Sequence, residues 1–136
     1  MKNSILALTL SLVLAIGSAS ADLIKNPAAG TLEAALLDGL KLIKNGKFDD
    51  WVTKYCSKEK ACATSNSILS YKRFNLPSMQ RRAPACLREN ETALDIKDVW
   101  DQGDGSKKIF VNCEATATAI PFYLIKEGET WRFSKI

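Results

Sequence analysis

The stretch from Thr92 to Ile136 constrains the fold most, because it reads as successive β-strands separated by tight turns. Leu94 to Gln102 gives the first strand, with Leu94, Ile96, Asp98 and Trp100 on one parity and Asp95 and Lys97 on the other. Gln102-Gly103-Asp104-Gly105-Ser106 follows, a dense turn signal whose glycines accept positive φ. From Lys107 to Ile120 the residues Ile109, Val111, Cys113, Ala115, Ala117 and Ala119 alternate with Asn112, Glu114, Thr116 and Thr118, the period of a half-buried strand. Pro121 punctuates that run, since proline cannot donate to a central ladder. Phe122–Lys126 and Thr130–Ile136 are the last two strands, joined at Glu127-Gly128-Glu129. Four strands with short connections predict an antiparallel meander. A lone sheet leaves one apolar face open, so the N-terminal half is expected to cover it with helices, an α+β domain.

The segment ahead of that domain reads differently. Lys2 begins a short basic region, Ile5–Ile16 is apolar but too short to span a bilayer, and Ala19-Ser20-Ala21 is a small-x-small cleavage signal. Residues 1–21 are thus expected to be a cleaved signal peptide of bacterial type, and residues 22–136 a single domain, periplasmic or secreted, with no stable membrane insertion after cleavage. The four cysteines, Cys56, Cys62, Cys86 and Cys113, are then expected to pair. Three connectivities satisfy four cysteines. Cys56–Cys62 would clip a short loop, and Cys86–Cys113 would tie the middle of the chain to the sheet. The chain has no histidine and no Cys-x-x-Cys, and its cysteine spacing does not suit a four-cysteine zinc site, so neither a metal nor another cofactor is expected.

Losing Lys2 takes the formal charge from +4 to +3. So small an excess, on an exported chain, does not point to nucleic acid. The charge is unevenly placed. Lys54–Arg88 carries eight basic residues against Glu59, whereas Glu89–Asp104 carries six acidic residues against Lys97. Two solvated faces whose charges partly pair are the favoured expectation over an anion-facing surface beside an acidic one.

In the N-terminal half, Asp22–Gly30 reads as an irregular lead-in. Thr31 is a good N-cap, Leu32, Leu36, Leu40 and Ile43 recur at helical spacing, and Asn45-Gly46 ends that helix. Phe48, Trp51, Val52 and Tyr55 form the apolar face of a second helix. Ala63–Arg88 is expected to be loop-rich, with one or two short helical turns, because Pro77 and Pro84 interrupt it.

A helix closing on Asn45-Gly46, then Lys47-Phe48-Asp49-Asp50-Trp51 opening a second, resembles the start of nuclear transport factor 2-like (NTF2-like) domains. Phe122-Tyr123-Leu124-Ile125-Lys126-Glu127-Gly128-Glu129-Thr130-Trp131-Arg132-Phe133 is similar to their closing hairpin. The resemblance covers Thr31–Ile136. It implies a strongly bent four-stranded sheet wrapped on helices, a cone with a pocket at its open end. It also implies a family of diverse function, with isomerases and dehydratases beside ligand-binding and protein-association modules.

An enzyme of that kind commonly uses a His–Asp pair, which this chain lacks, or an aspartate base with a tyrosine donor. Asp98 is the candidate base and Tyr55, Tyr71 or Tyr123 the donor, unless a bulge turns Asp98 to solvent. No phosphate loop, nucleophile elbow or metal motif accompanies them. Non-catalytic binding is the favoured expectation. Trp51, Tyr55, Tyr71, Asp98, Trp100 and Tyr123 are expected to line a pocket, and Arg73 would serve an anionic group; Trp131 could join the rim and Ala115, Ala117 and Ala119 could leave space for a ligand, but plain helix–sheet packing is the favoured expectation for Trp131 and the alanines. The expected partner is a small apolar or anionic ligand, or an envelope protein. The alternatives are a protein-interaction module (an inhibitor, immunity-type partner or accessory subunit) and an isomerase-like enzyme working through Asp98. An open sheet face would also accommodate a homodimer.

Overall fold

Thr31 starts the first helix as its sequence position requires. Its extended backbone lets Oγ1 accept from the Ala34 amide at 3.2 Å, and α1 runs Leu32–Lys44. In the computed structural model, which describes residues 22–135, the helix ends in a Schellman motif. Gly46, at φ 71°, donates to the Ile43 carbonyl and Lys47 donates to that of Leu42. The expected signal peptide lies outside the described residues. α2 follows at Phe48–Tyr55 and buries Trp51 completely.

The middle of the chain is more helical than its prolines foretell. α3 (Ser65–Ser70) opens with a capping box between Thr64 and Ser67. A π-helical stretch, Tyr71–Asn75, leads directly into α4 (Leu76–Cys86). Pro77 is the second residue of α4, directly after the π stretch. The residue four before it, Arg73, lies in the wide π turn, which leaves room for the proline ring. Pro84 lies inside α4, in its last turn, two residues before the helix ends at Cys86.

The sheet has five strands, not four, in the order β1 (Asp22–Lys25), β2 (Ala93–Asp101), β3 (Ser106–Val111), β4 (Ile120–Glu127) and β5 (Thr130–Lys135), all antiparallel and not closed into a barrel. The extra strand comes from the lead-in, whose Ile24 pairs with Leu94. Two apolar residues, Leu23 and Ile24, are too short a run to signal a strand alone. They become one because β2 offers an open edge.

β3 stops at Val111, well short of Ile120, and this corrects the long strand expected from alternation. Residues 112–119 form a loop in which Ala115 takes φ 60°, and Ala115 and Ala117 are exposed while Ala119 is half-buried. The alanines therefore line no inner face. The loop is held by Cys113, bonded to Cys86, and by Arg88, which donates to the Asn112 carbonyl at 3.0 Å and pairs with Glu114 at 2.7 Å. Pro121 lies inside β4 rather than ahead of it. It stands opposite Phe110 of β3, while the register with β5 begins only at Tyr123.

Both expected disulfides form, Cys56–Cys62 with Cα atoms 5.7 Å apart and Cys86–Cys113 at 4.1 Å. The helices cover one sheet face, where Leu36, Leu40, Ile43, Trp51, Leu76, Leu94, Ile109, Leu124 and Phe133 are sealed from solvent. α1 approaches β5 through Gly39, where any Cβ would fall on the Phe133 ring. Trp51 packs against that ring with centroids 5.4 Å apart. The Cys56–Cys62 loop is fastened to the last hairpin by Glu127, which accepts from the Ser57 hydroxyl and, at 3.0 Å, from the Lys58 amide.

Candidate functional site

Asp38 sits in the middle of α1, between the buried Leu37 and Gly39, and interrupts the apolar stripe with a half-buried carboxyl group. The end of α2 brings Tyr55 against it, and the phenol donates a hydrogen bond to Asp38 Oδ2. Around this pair lies an open cavity of about 510 Å³, lined by the β1–α1 loop, α1, the end of α2 and the β4–β5 turn. Ala34 supplies a small apolar wall, Trp131 an aromatic one, and Lys41 and Glu129 charges of opposite sign. Burial, with the hydrogen bond and the charge of Asp38 adding to it, pushes the Tyr55 phenol above its ordinary pKa. Tyr55 thus stays protonated, and its single proton is committed to Asp38. Asp38 Oδ1 has no hydrogen-bond partner among the described residues. The arrangement is a pinned acceptor in a partly apolar hollow.

The seven pocket residues read from the sequence are dispersed. Tyr55 alone of them lines this cavity, with Trp131 beside it. Trp51 is core, fully buried, and its Nε1 has no partner among the described residues. Tyr71 is half-buried where the π stretch begins. Arg73 is exposed, with its guanidinium 5.9 Å from the Phe74 ring centre. A register shift between Ile96 and Asp98 turns the rest of β2 over. Asp98 then pairs with Phe110 and is exposed, so it does not face inward as parity implied. It accepts from Trp100 Nε1 at 2.6 Å, and Trp100 itself is half exposed.

Tyr123 belongs to the same outer sheet face as Trp100. Lys108 stands 5.6 Å from the Trp100 ring centre, 5.0 Å from that of Phe110 and 5.4 Å from that of Tyr123. A smaller hollow of about 260 Å³ adjoins Tyr123, with Lys60, Asp104, Ser106 and Lys135 on its walls. The Ser106 hydroxyl and then its amide, both donating to Asp104, hold that carboxyl below its usual range.

Sequence reasoning missed Asp38. The available signal was a single acid within the apolar run Leu36-Leu37-Asp38-Gly39-Leu40, next to the one residue small enough to let a helix close on the sheet. Among the described residues no cluster of three or more metal-ligating side chains occurs, and no helix is long and apolar enough to cross a membrane. No family model, curated protein or solved structure matches the chain.

Proposed function

We propose that this chain is an exported, non-catalytic binding domain that holds a small, largely apolar molecule by one hydrogen-bond-donating head. The observation that carries this reading is Asp38, fixed by Tyr55 within the cavity of about 510 Å³. A volume of that order suits a ligand of modest size. Pre-orienting the acceptor removes part of the ordering cost of binding. Two disulfides support an oxidising compartment outside the cytoplasm, in keeping with the expected signal peptide. Helices running ahead of the β2–β5 antiparallel meander are in keeping with the NTF2-like reading.

The donor preference follows from proton accounting. Asp38 offers a free oxygen, while Tyr55 has no proton left to give, so at this pair an alcohol, amide or ammonium head is matched and a bare carboxylate is not. The same accounting weighs against catalysis. A tyrosine that donates to a neighbouring carboxyl group is not available to polarise a substrate carbonyl, and Asp98 stands on the open outer face. The outer face favours one second reading, an envelope partner docked on Trp100, Phe110 and Tyr123.

A thermal-shift and NMR screen with matched phenylalkyl alcohols, amines and carboxylates tests the cavity. Alcohols or amines are expected to bind saturably and perturb Trp131, and Ala34→Leu is expected to abolish this by filling the hollow. Binding that survives Ala34→Leu, or that perturbs only the outer-face tryptophan, would place the ligand elsewhere.

A further inference from the structure

The arm formed by α3, the π stretch and α4 has two unlike faces. Leu76, Met79, Ala83 and Cys86 are buried in the core. On the opposite side stand Leu69 and Phe74, 62% and 66% exposed, more than any other large apolar side chain among the described residues. With about 3.6 residues per α turn and a wider π turn between, Leu69, Arg73, Phe74 and Arg81 fall in one arc facing away from the core. Arg73, Arg81 and Arg82 are all exposed. From Ser65 to Cys86 the chain carries Lys72 and these three arginines, and neither Asp nor Glu. Asp49 of α2 neutralises Lys72 at 2.5 Å. The three arginines enter no ion pair among the described residues.

We propose that this ridge docks the protein reversibly on an anionic phospholipid surface. The shape favours lipid over an acidic protein. The ridge is a helix face from which two apolar side chains, Leu69 and Phe74, stand out beside exposed arginines. A flat array of phosphates meets such a face along its whole length. The guanidinium groups pair with phosphates in two-point contacts. Leu69 and Phe74 seat at the boundary between headgroups and acyl chains, as the apolar side of an interfacial helix does. Arg73, lying over Phe74, brings a charge and an apolar ring to the same point. With Arg73 and Arg81 on the arc, Arg82 at its flank and two apolar anchors, the attachment is weak and sensitive to salt. This surface is separate from the Asp38 cavity and does not depend on what that cavity holds.

Vesicle co-sedimentation of the purified protein tests the proposal, using phosphatidylcholine vesicles with and without phosphatidylglycerol. Every comparison is made between variants sharing the same N-terminus, so residues 1–21 contribute equally. Binding is expected only with phosphatidylglycerol and should fade with added salt. Replacing Arg73, Arg81 and Arg82 together by Gln should weaken it by about fivefold per arginine removed. Phe74→Ser should weaken it with an unchanged salt slope, and circular dichroism should show both variants folded. Equal partition onto both vesicle types, or an equal loss when Lys54 and Lys58 are changed to Gln instead, would overturn the proposal. Binding to soluble polyglutamate that matches vesicle binding and ignores Phe74→Ser would also overturn it, in favour of an acidic protein partner.

Discussion

At the scale of single residues, one contact sets how α1 meets the sheet and another how α2 meets α1. Gly39 permits the close approach to Phe133, and Gly39→Ala would force the ring or the helix to shift. Overpacking of this kind costs about 1–3 kcal/mol, so the variant's urea midpoint should fall well below the wild type's. Tyr55 makes a prediction of opposite character, seen only in alkali. Its folded-state pKa is raised, chiefly by burial and then by Asp38. The associated stability is complete below the unfolded tyrosine value of about 10 and is lost as pH rises beyond it. Urea midpoints measured across that range should fall more steeply for the wild type than for Tyr55→Phe. Parallel curves would show that Tyr55 is not held protonated by the fold.

At the scale of elements, termini and turns were the most legible features, because their chemistry is local. Thr31, Asn45-Gly46 and Glu127-Gly128-Glu129 each specify a backbone state regardless of what packs around them. Gly46→Ala puts a Cβ in the left-handed region that closes the Schellman motif, and a loss of about 1–2 kcal/mol is expected in chemical denaturation. What could not be read locally was decided by partners. Alternation from Lys107 to Ile120 was real in sequence, but β4 pairs with β3 only as far as Val111, and the disulfide to Cys86 holds Cys113 in the turn. Asp98 shared parity with Leu94, and the register shift beside Lys97 reversed it. β1 exists through the edge of β2, and Pro77 was absorbed by the π turn before it. Of the candidate site, the aromatic contribution of Tyr55 was visible, whereas Trp131 read more readily as packing in a strand, and Asp38 was hidden because a helix face mixes core and cavity positions.

At the scale of the molecule, two covalent clips and one cavity set the behaviour. Cys86–Cys113 closes 27 residues of chain and Cys56–Cys62 only 6. On the loop-entropy account the longer clip contributes about 3–4 kcal/mol and the shorter about 2 kcal/mol. Reduction should therefore lower the melting temperature, and the Cys86→Ser, Cys113→Ser pair should lower it further than the Cys56→Ser, Cys62→Ser pair. An unchanged melting temperature in reductant would remove the disulfides from the stability account. The central claim, however, concerns the hollow around Asp38. Its most direct test is native mass spectrometry of the protein purified without reductant from the cells that make it, beside an Ala34→Leu variant prepared identically. The account predicts a small-molecule adduct on the wild type, carrying a hydroxyl, amide or amine head, and its absence from Ala34→Leu. A bare wild-type chain, or a second protein bound equally by both, would contradict it.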